Sequence, residues 1–275
     1  MSVTRRLGSF AAALIIVLGG VSAVQPAGAT PTWAPAATAA VHPGVQTVTA
    51  GAQCTSNFVF TDGTDVYIGQ AAHCSGTGGS TETNGCDSGS LPTGTPVEVR
   101  GASKPGTLVY NSWLTMQQVT HETDSETCQY NDLAIVKLDP ADYAKVNPSI
   151  PTWGGPVAGS APLPSTGDTC YTYGNSSLRF GVTTLSPKKG TVVSNTPGGW
   201  SHTVYTATPG VPGDSGSAFL DKNGNALGVL STVAIAPLPG SNGVGDVGKE
   251  VSYMQAHSTF STLQLALGTE AFTGG

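Results

Sequence analysis

Apolar residues in this chain come in short runs, each closed off by glycine, proline, asparagine or aspartate, and that punctuation permits few architectures. Phe58-Val59-Phe60 and Val66-Tyr67-Ile68 flank Thr61-Asp62-Gly63-Thr64-Asp65, a hairpin signal. Ser217 to Leu220 and Ala226 to Leu230 flank Asp221-Lys222-Asn223-Gly224 in the same way. Further short strands are predicted at Val97 to Arg100, Thr107 to Tyr110, Gln117 to Thr120, Cys170 to Tyr173, Thr191 to Ser194 and His202 to Thr206. Asn131 to Leu138 reads as an almost wholly apolar strand with an acid, Asp132, at its entrance. Helical spacing appears near the C-terminus, where Ala256, Phe260, Leu263 and Leu267 recur and Gly268 acts as a stop. With 37 glycines, 19 prolines and only 10% charged residues, the composition agrees with strands and turns rather than helices.

Residues 1–29 read as an export signal. Arg5 and Arg6 precede the apolar run Leu7 to Val24, and Ala27-Gly28-Ala29 offers small residues where a signal peptidase cuts. Removal leaves 9 basic against 17 acidic residues, a charge of −8, which argues against nucleic acid and anionic membranes as partners. Residues 30–42 are rich in Pro, Ala and Thr without apolar period and are expected to form a linker or short prosegment. Residues 43–275 then make one domain, large enough to bury a core. Pro140 to Ser165 is a Pro/Gly/Ala-rich connection that divides it into two halves. Five cysteines in an exported chain imply disulfides with one thiol left over, and no C-x-x-C pair or histidine spacing suggests zinc.

The chemistry centres on Gly213-Asp214-Ser215-Gly216-Ser217. Such a stretch alone is an ordinary glycine–serine turn, and a serine hydroxyl is a weak nucleophile until a base takes its proton and donors receive the oxyanion. Gly213 permits the sharp backbone turn that lets its N–H and that of Ser215 converge on one point. A base and an acid precede the serine in the order His73, Asp132, Ser215: the histidine follows a strand end in Ala71-Ala72-His73-Cys74, and the acid opens the apolar strand.

Together, Thr49-Ala50-Gly51-Ala52-Gln53-Cys54 through Ala71-Ala72-His73-Cys74, then Asn131-Asp132-Leu133-Ala134, then Gly213-Asp214-Ser215-Gly216 resemble the signature blocks of chymotrypsin-like serine proteases, over about residues 45 to 268. The resemblance implies an all-β fold of two six-stranded antiparallel Greek-key barrels with a short C-terminal helix. Barrel one is expected at about 43–140, barrel two at about 165–255 and the helix at about 256–268. It implies that Ser215 attacks the scissile carbonyl, that His73 relays its proton and that Asp132 orients the imidazole. It further assigns the oxyanion hole to the N–H groups of Gly213 and Ser215, support of Asp132 to Ser231, the pocket floor to Pro209 and a disulfide to Cys54 and Cys74. Cys86 with Cys128 is the second pairing expected, leaving Cys170 over.

The sequence departs from the family in three informative ways. No Lys or Arg occurs between Arg6 and Arg100, so activation by tryptic cleavage before the first barrel is excluded. Asp214 then needs an internal cation, and by resemblance to secreted bacterial members Arg179 is the expected one. Pro209 stands where a trypsin-like enzyme carries an acid, so a demand for Lys or Arg is not supported. Glu122, Asp124 and Glu126 read as solvated loop acids rather than a Ca²⁺ site. His42, His121, His202 and His257 have no partner pattern and are expected at the surface.

An α/β-hydrolase esterase is excluded by Ser217 at the second position after the serine, by the following hairpin and by the histidine coming first. The reading is therefore a secreted, monomeric serine endopeptidase acting on protein or peptide without a cofactor, metal or membrane after signal cleavage. The alternative is a secreted binding protein on the same fold that has lost activity.

Overall fold

In chain order the strands are β1 (Gln46–Thr49), β2 (Ala52–Thr55), β3 (Val59–Thr61), β4 (Val66–Ala71), β5 (Pro96–Val99), β6 (Gly106–Asn111) and β7 (Leu133–Lys137) in the first half. The second half holds β8 (Thr169–Tyr173), β9 (Pro187–Asn195), β10 (Ser201–Thr206), β11 (Ala218–Leu220), β12 (Ala226–Val233) and β13 (Asn242–Asp246), and β14 (Gln264–Leu265) comes last. The helices are α1 (Ser112–Thr115), α2 (Ser125–Tyr130) and α3 (Val247–His257). These coordinates are a computed structural model that describes residue 1 and residues 31–79, 83–233 and 240–274. Apart from Met1, the expected export signal lies outside the described residues.

Both hairpins form where the turn signals fall. Val59 pairs with Ile68 and Thr61 with Val66 across Asp62-Gly63, whose carboxylate accepts the Thr64 and Asp65 N–H groups. Ala218 pairs with Val229 and Leu220 with Ala226, and Asp221 Oδ1 accepts the N–H groups of Asn223 and Asn225. β8 to β13 close into a six-stranded antiparallel barrel, as expected. The first half differs: its antiparallel sheet has eight strands in the order β14-β3-β4-β7-β6-β5-β1-β2, with β2 and β14 at its edges. The first half itself supplies seven strands, and the eighth is added because the chain returns after α3 to pair Gln264 with Thr61 and Leu265 with Phe60.

That return also corrects the helix at 256–268. The helix runs instead over Val247–His257, where Asp246 accepts the Lys249 N–H as its N-cap. The apolar period at Phe260 and Leu263 reflects packing rather than helix. Phe260 stands edge-on to Tyr67 and Tyr110, and Leu263 is fully buried. Gln117 to Thr120 is likewise helical rather than extended, a π-type turn that continues α1. Residues 33–42 are not a free linker. Ala34 N–H donates to the Val146 carbonyl at 2.8 Å, Trp33 packs on the first-half core, and Val41 is fully buried.

Three apolar clusters hold the molecule together. One fills the first half around Val59, Ile68, Trp113 and Val136, and another fills the closed barrel around Phe219, Leu227 and Val244. The third joins the halves, with Phe58, Tyr67, Leu133 and Ile135 from one packed with Leu220, Val229 and Met254 from the other. Burial of this order fixes the relative placement of loops from both halves, which is what a site assembled from distant segments requires.

Candidate active site

The last residue of β4 is Ala71, and the chain then turns through the 3₁₀ segment Ala72–Ser75, which carries His73. The Cys54–Cys74 disulfide ties this turn to β2. Sulfurs of both cysteines lie near the imidazole, but bonded to each other they offer no thiolate to a metal. Asp132, at the entrance of β7, meets the turn through three contacts. Its Oδ1 accepts the His73 main-chain N–H at 2.9 Å, its Oδ2 lies 2.7 Å from His73 Nδ1, and its carbonyl accepts the Ala72 N–H at 2.8 Å. Ser231, on β12, donates its hydroxyl to the same Oδ2 at 2.5 Å. A carboxylate acceptor puts the ring proton on Nδ1, so Nε2 keeps a lone pair for a nucleophile's proton.

The serine loop is fastened to both halves. The Ser215 carbonyl accepts the Thr55 N–H at 2.8 Å, and Gly216 N–H donates to the Leu230 carbonyl, next to Ser231, at 2.7 Å. Gly216 has a φ of +89°, and a Cβ there would stand 2.4 Å from the Thr55 carbonyl and 2.9 Å from Ala71 N. Only glycine allows this approach of the serine loop to the turn carrying His73. Ser215 Oγ makes no hydrogen bond to His73 among the described residues, a contact that in serine hydrolases commonly tightens only when substrate is held.

Gly213 also has a left-handed φ, +93°, and neither its N–H nor that of Ser215 donates to a protein acceptor among the described residues. Two such amides, one of them the half-buried serine's own, are suited to receiving a developing oxyanion. The Gly213 carbonyl is held instead, by Thr55 Oγ1 at 2.7 Å and Gln53 Nε2 at 3.0 Å, which fixes the orientation of the peptide unit that follows it.

Asp214, fully buried between these amides, pairs with Arg179 at 2.7 Å as the sequence led one to expect. Sequence reasoning missed its second partner, Lys188, whose buried ammonium lies 2.8 Å from the same Oδ2. Pro187-Lys188-Lys189 looks like a solvated basic pair, yet strand alternation in β9 turns Lys188 inward while Lys189 lies over the Tyr171 ring. Burial raises the Asp214 carboxyl, but Lys188 and Arg179 outweigh it and hold the group below the usual carboxylate range. Lys188 is itself pulled down, because burial and the nearby Arg179 outweigh its half-share of one carboxylate.

Other expectations resolve as follows. Cys86 and Cys128 are bonded, and Cys170 is a free, buried thiol that burial pushes up to about 12, which keeps it unreactive. Pro209 is exposed and gives its carbonyl to Arg179, while nearby Asn242, unforeseen, accepts the Gly210 N–H from inside. Glu122, Asp124 and Glu126 are occupied by main-chain N–H groups of Thr123, Thr127 and Gly198. His202 is not at the surface: it is fully buried in the closed barrel, between Asn195 Oδ1 at 2.8 Å and Asp246 Oδ2 at 3.1 Å. Strand alternation in β10 turns it inward, and the two polar partners make burial tolerable. A surface depression lined by Trp200, Lys249, Tyr253 and His257 lies on another face of α3 and includes none of His73, Asp132 and Ser215.

No protein-family model matches the sequence, and no curated protein matches it. Solved structures do. Thermobifida fusca Protease A aligns with 84% of this chain and all of its own at 19% identity and a TM-score of 0.54. A glutamic acid specific serine protease that uses a histidine triad in substrate binding aligns with 82% of this chain and all of its own, at 19% identity and 0.50. Cellulomonas bogoriensis chymotrypsin aligns with 82% and 98%, at 18% identity and 0.50. The fold is thus that of the bacterial chymotrypsin-like serine proteases, and at these identities the likeness speaks to fold alone.

Proposed function

We propose that the chain is a secreted serine endopeptidase in which Ser215, His73 and Asp132 act as nucleophile, general base and orienting acid. The observation that carries this reading is the arrangement around Asp132: one carboxylate fixes both the main chain and Nδ1 of His73 and accepts Ser231, on the side of the molecule to which the serine loop is fastened. His73 Nε2 takes the Ser215 proton as Oγ attacks the scissile carbonyl. The N–H groups of Gly213 and Ser215 receive the oxyanion, and the imidazolium, facing Asp132, returns the proton to the leaving amine. Water then repeats the sequence on the acyl-enzyme. Pro209 carries no acid, so a demand for Lys or Arg before the scissile bond is not supported. Two disulfides support an oxidising location, and the export signal belongs to the same reading.

The base works only when neutral, which sets the pH dependence. Burial lowers the His73 imidazole, but the Asp132 charge and its hydrogen bond outweigh burial and leave it above its ordinary 6.5. Activity on an unstructured protein such as casein should therefore rise with pH through a midpoint above 6.5. The stability that the His73–Asp132 pair contributes runs the other way: it is fully present below 6.5 and is lost as pH climbs through the raised value. A pH–rate profile with cleaved bonds identified by mass spectrometry checks both the activity and its base. A flat profile between pH 4 and 8 on folded protein, or no cleavage at any pH, contradicts the reading.

A further inference from the structure

Against the main chain of Asp132 lies a second acid that the chemistry above does not use. Glu250 projects from the first turn of α3 and is fully buried. Its Oε1 accepts the Asp132 main-chain N–H at 2.9 Å. Its Oε2 is shielded from solvent and has no protein hydrogen-bond partner among the described residues, and the same holds for both amide atoms of the adjoining Asn131. The fold makes room for it: a Cβ on Gly245 would stand 2.6 Å from Oε1, so glycine at that point of β13 is what admits the carboxyl. A lone buried acid is costly to keep, and its one direct bond ends on the residue that orients the imidazole.

We propose that Glu250 is a positioning residue that holds the main chain of Asp132, and through it the Asp132–His73 pair, in the working geometry. The inference rests on the protease reading for its kinetic consequence, but not for its structural one. Asp132 is then gripped on both sides: its side chain by His73 and Ser231, its backbone by Glu250. The group acts as the uncharged acid. Burial lifts the carboxyl well above its usual range, opposed by the Asp132 N–H, and the charges of Asp132 and Asp246 lift it further. The other titratable group facing it is the hydroxyl of Tyr110 on β6. Tyr253, on α3 itself, hydrogen-bonds its hydroxyl to Thr120 and Glu122, β12 and α1 bring none, and the one such group on β7, Lys137, is paired with Asp65. No cation is among these neighbours, so an ionised Glu250 would set a second unpaired negative charge beside Asp132. As the neutral acid it offers a carbonyl oxygen to the Asp132 N–H and an O–H on Oε2.

Glu250→Gln and Glu250→Leu separate the possibilities. The amide keeps an oxygen for the Asp132 N–H and carries no charge, so E250Q should match the wild type in kcat within about twofold and in the acid limb of the pH profile. E250L cannot accept, and its kcat should fall about tenfold with KM unchanged and the melting transition still cooperative. If E250L does not fold, Glu250→Asp, which withdraws the carboxyl by one methylene, takes its place with the same expectation. A folded E250L or E250D with wild-type kcat overturns the positioning role. A lowered His73 pKa in E250Q, read by ¹⁵N NMR of the imidazole, overturns the uncharged assignment. If the wild type hydrolyses nothing and binds no fluorophosphonate, the protease reading fails separately. The His73 Nδ1 proton resonance then decides: positioning requires it to exchange faster in E250L than in wild type and E250Q, and equal exchange in all three rejects it.

Discussion

Replacing Ser215 by alanine should lower peptide-bond hydrolysis by about 10⁶-fold and leave the fold as stable as before, within about 0.5 kcal/mol. The loss is large because, in the proposed mechanism, Ser215 Oγ is the nucleophile that His73 activates, and residual rate enhancement would then come only from the proposed oxyanion donors and from substrate binding. The fold is spared because Ser215 enters the hydrogen-bond scheme through its carbonyl, which an alanine retains, and not through Oγ. Initial rates on casein and a thermal melt, on the same preparations, check both halves. An active S215A would place the nucleophile elsewhere, and an unfolded one would make the side chain structural.

The second large effect is expected at Asp214. Its carboxylate is fully buried and serves Arg179, Lys188 and the N–H groups of Ser176 and Val211 at once. Asp214→Asn leaves the buried ammonium of Lys188 facing a neutral amide, and breaking a buried ion pair from one side costs about 3–5 kcal/mol. Arg179→Ala should cost less, about 1.5–3 kcal/mol, because Lys188 still compensates the carboxylate. Both should depress kcat, since Asp214 joins the two residues whose amides are the proposed oxyanion donors. Denaturant titration monitored by tryptophan fluorescence orders the variants, and the order D214N below R179A below wild type is the outcome that counts. Asp214 is held below its ordinary 3.8, so the stability it contributes is present above that value and is lost as pH falls through the lowered one. D214N should accordingly flatten the acid limb of the stability curve, whereas an unchanged limb would mean that Asp214 is not its source.

What the chain itself made legible follows from how local each cause is. The hairpins were readable because turn residues and strand residues stand next to one another, at Asp62-Gly63 and at Asn223-Gly224. The order His73, Asp132, Ser215 carried the candidate site because each residue has a recognisable neighbourhood, and Arg179 came from the resemblance to secreted bacterial members once Asp214 needed a cation. The eight-stranded first sheet was hidden because β14 pairs with β3 across some 200 residues, and two strand residues leave almost no pattern. His202 was misread and Lys188 missed for one reason: a polar side chain suggests solvent, whereas alternation along β9 and β10 turns both inward to partners set far away in sequence. Glu250 was invisible for another, since the helix carrying it begins within a glycine-rich stretch that carries no helical signal. Local chemistry announced itself, while the residues that hold it in place came to light only through tertiary pairing.

Labelling with a fluorophosphonate tests the central claim most directly, because that reagent phosphonylates a serine only where base and oxyanion donors converge on it. At pH 8 the wild type should acquire one adduct, carried by the peptide that contains Ser215, and His73→Ala should acquire essentially none over the same interval. No adduct on folded wild type, an adduct on another residue, or equal labelling of the His73 variant would contradict the account.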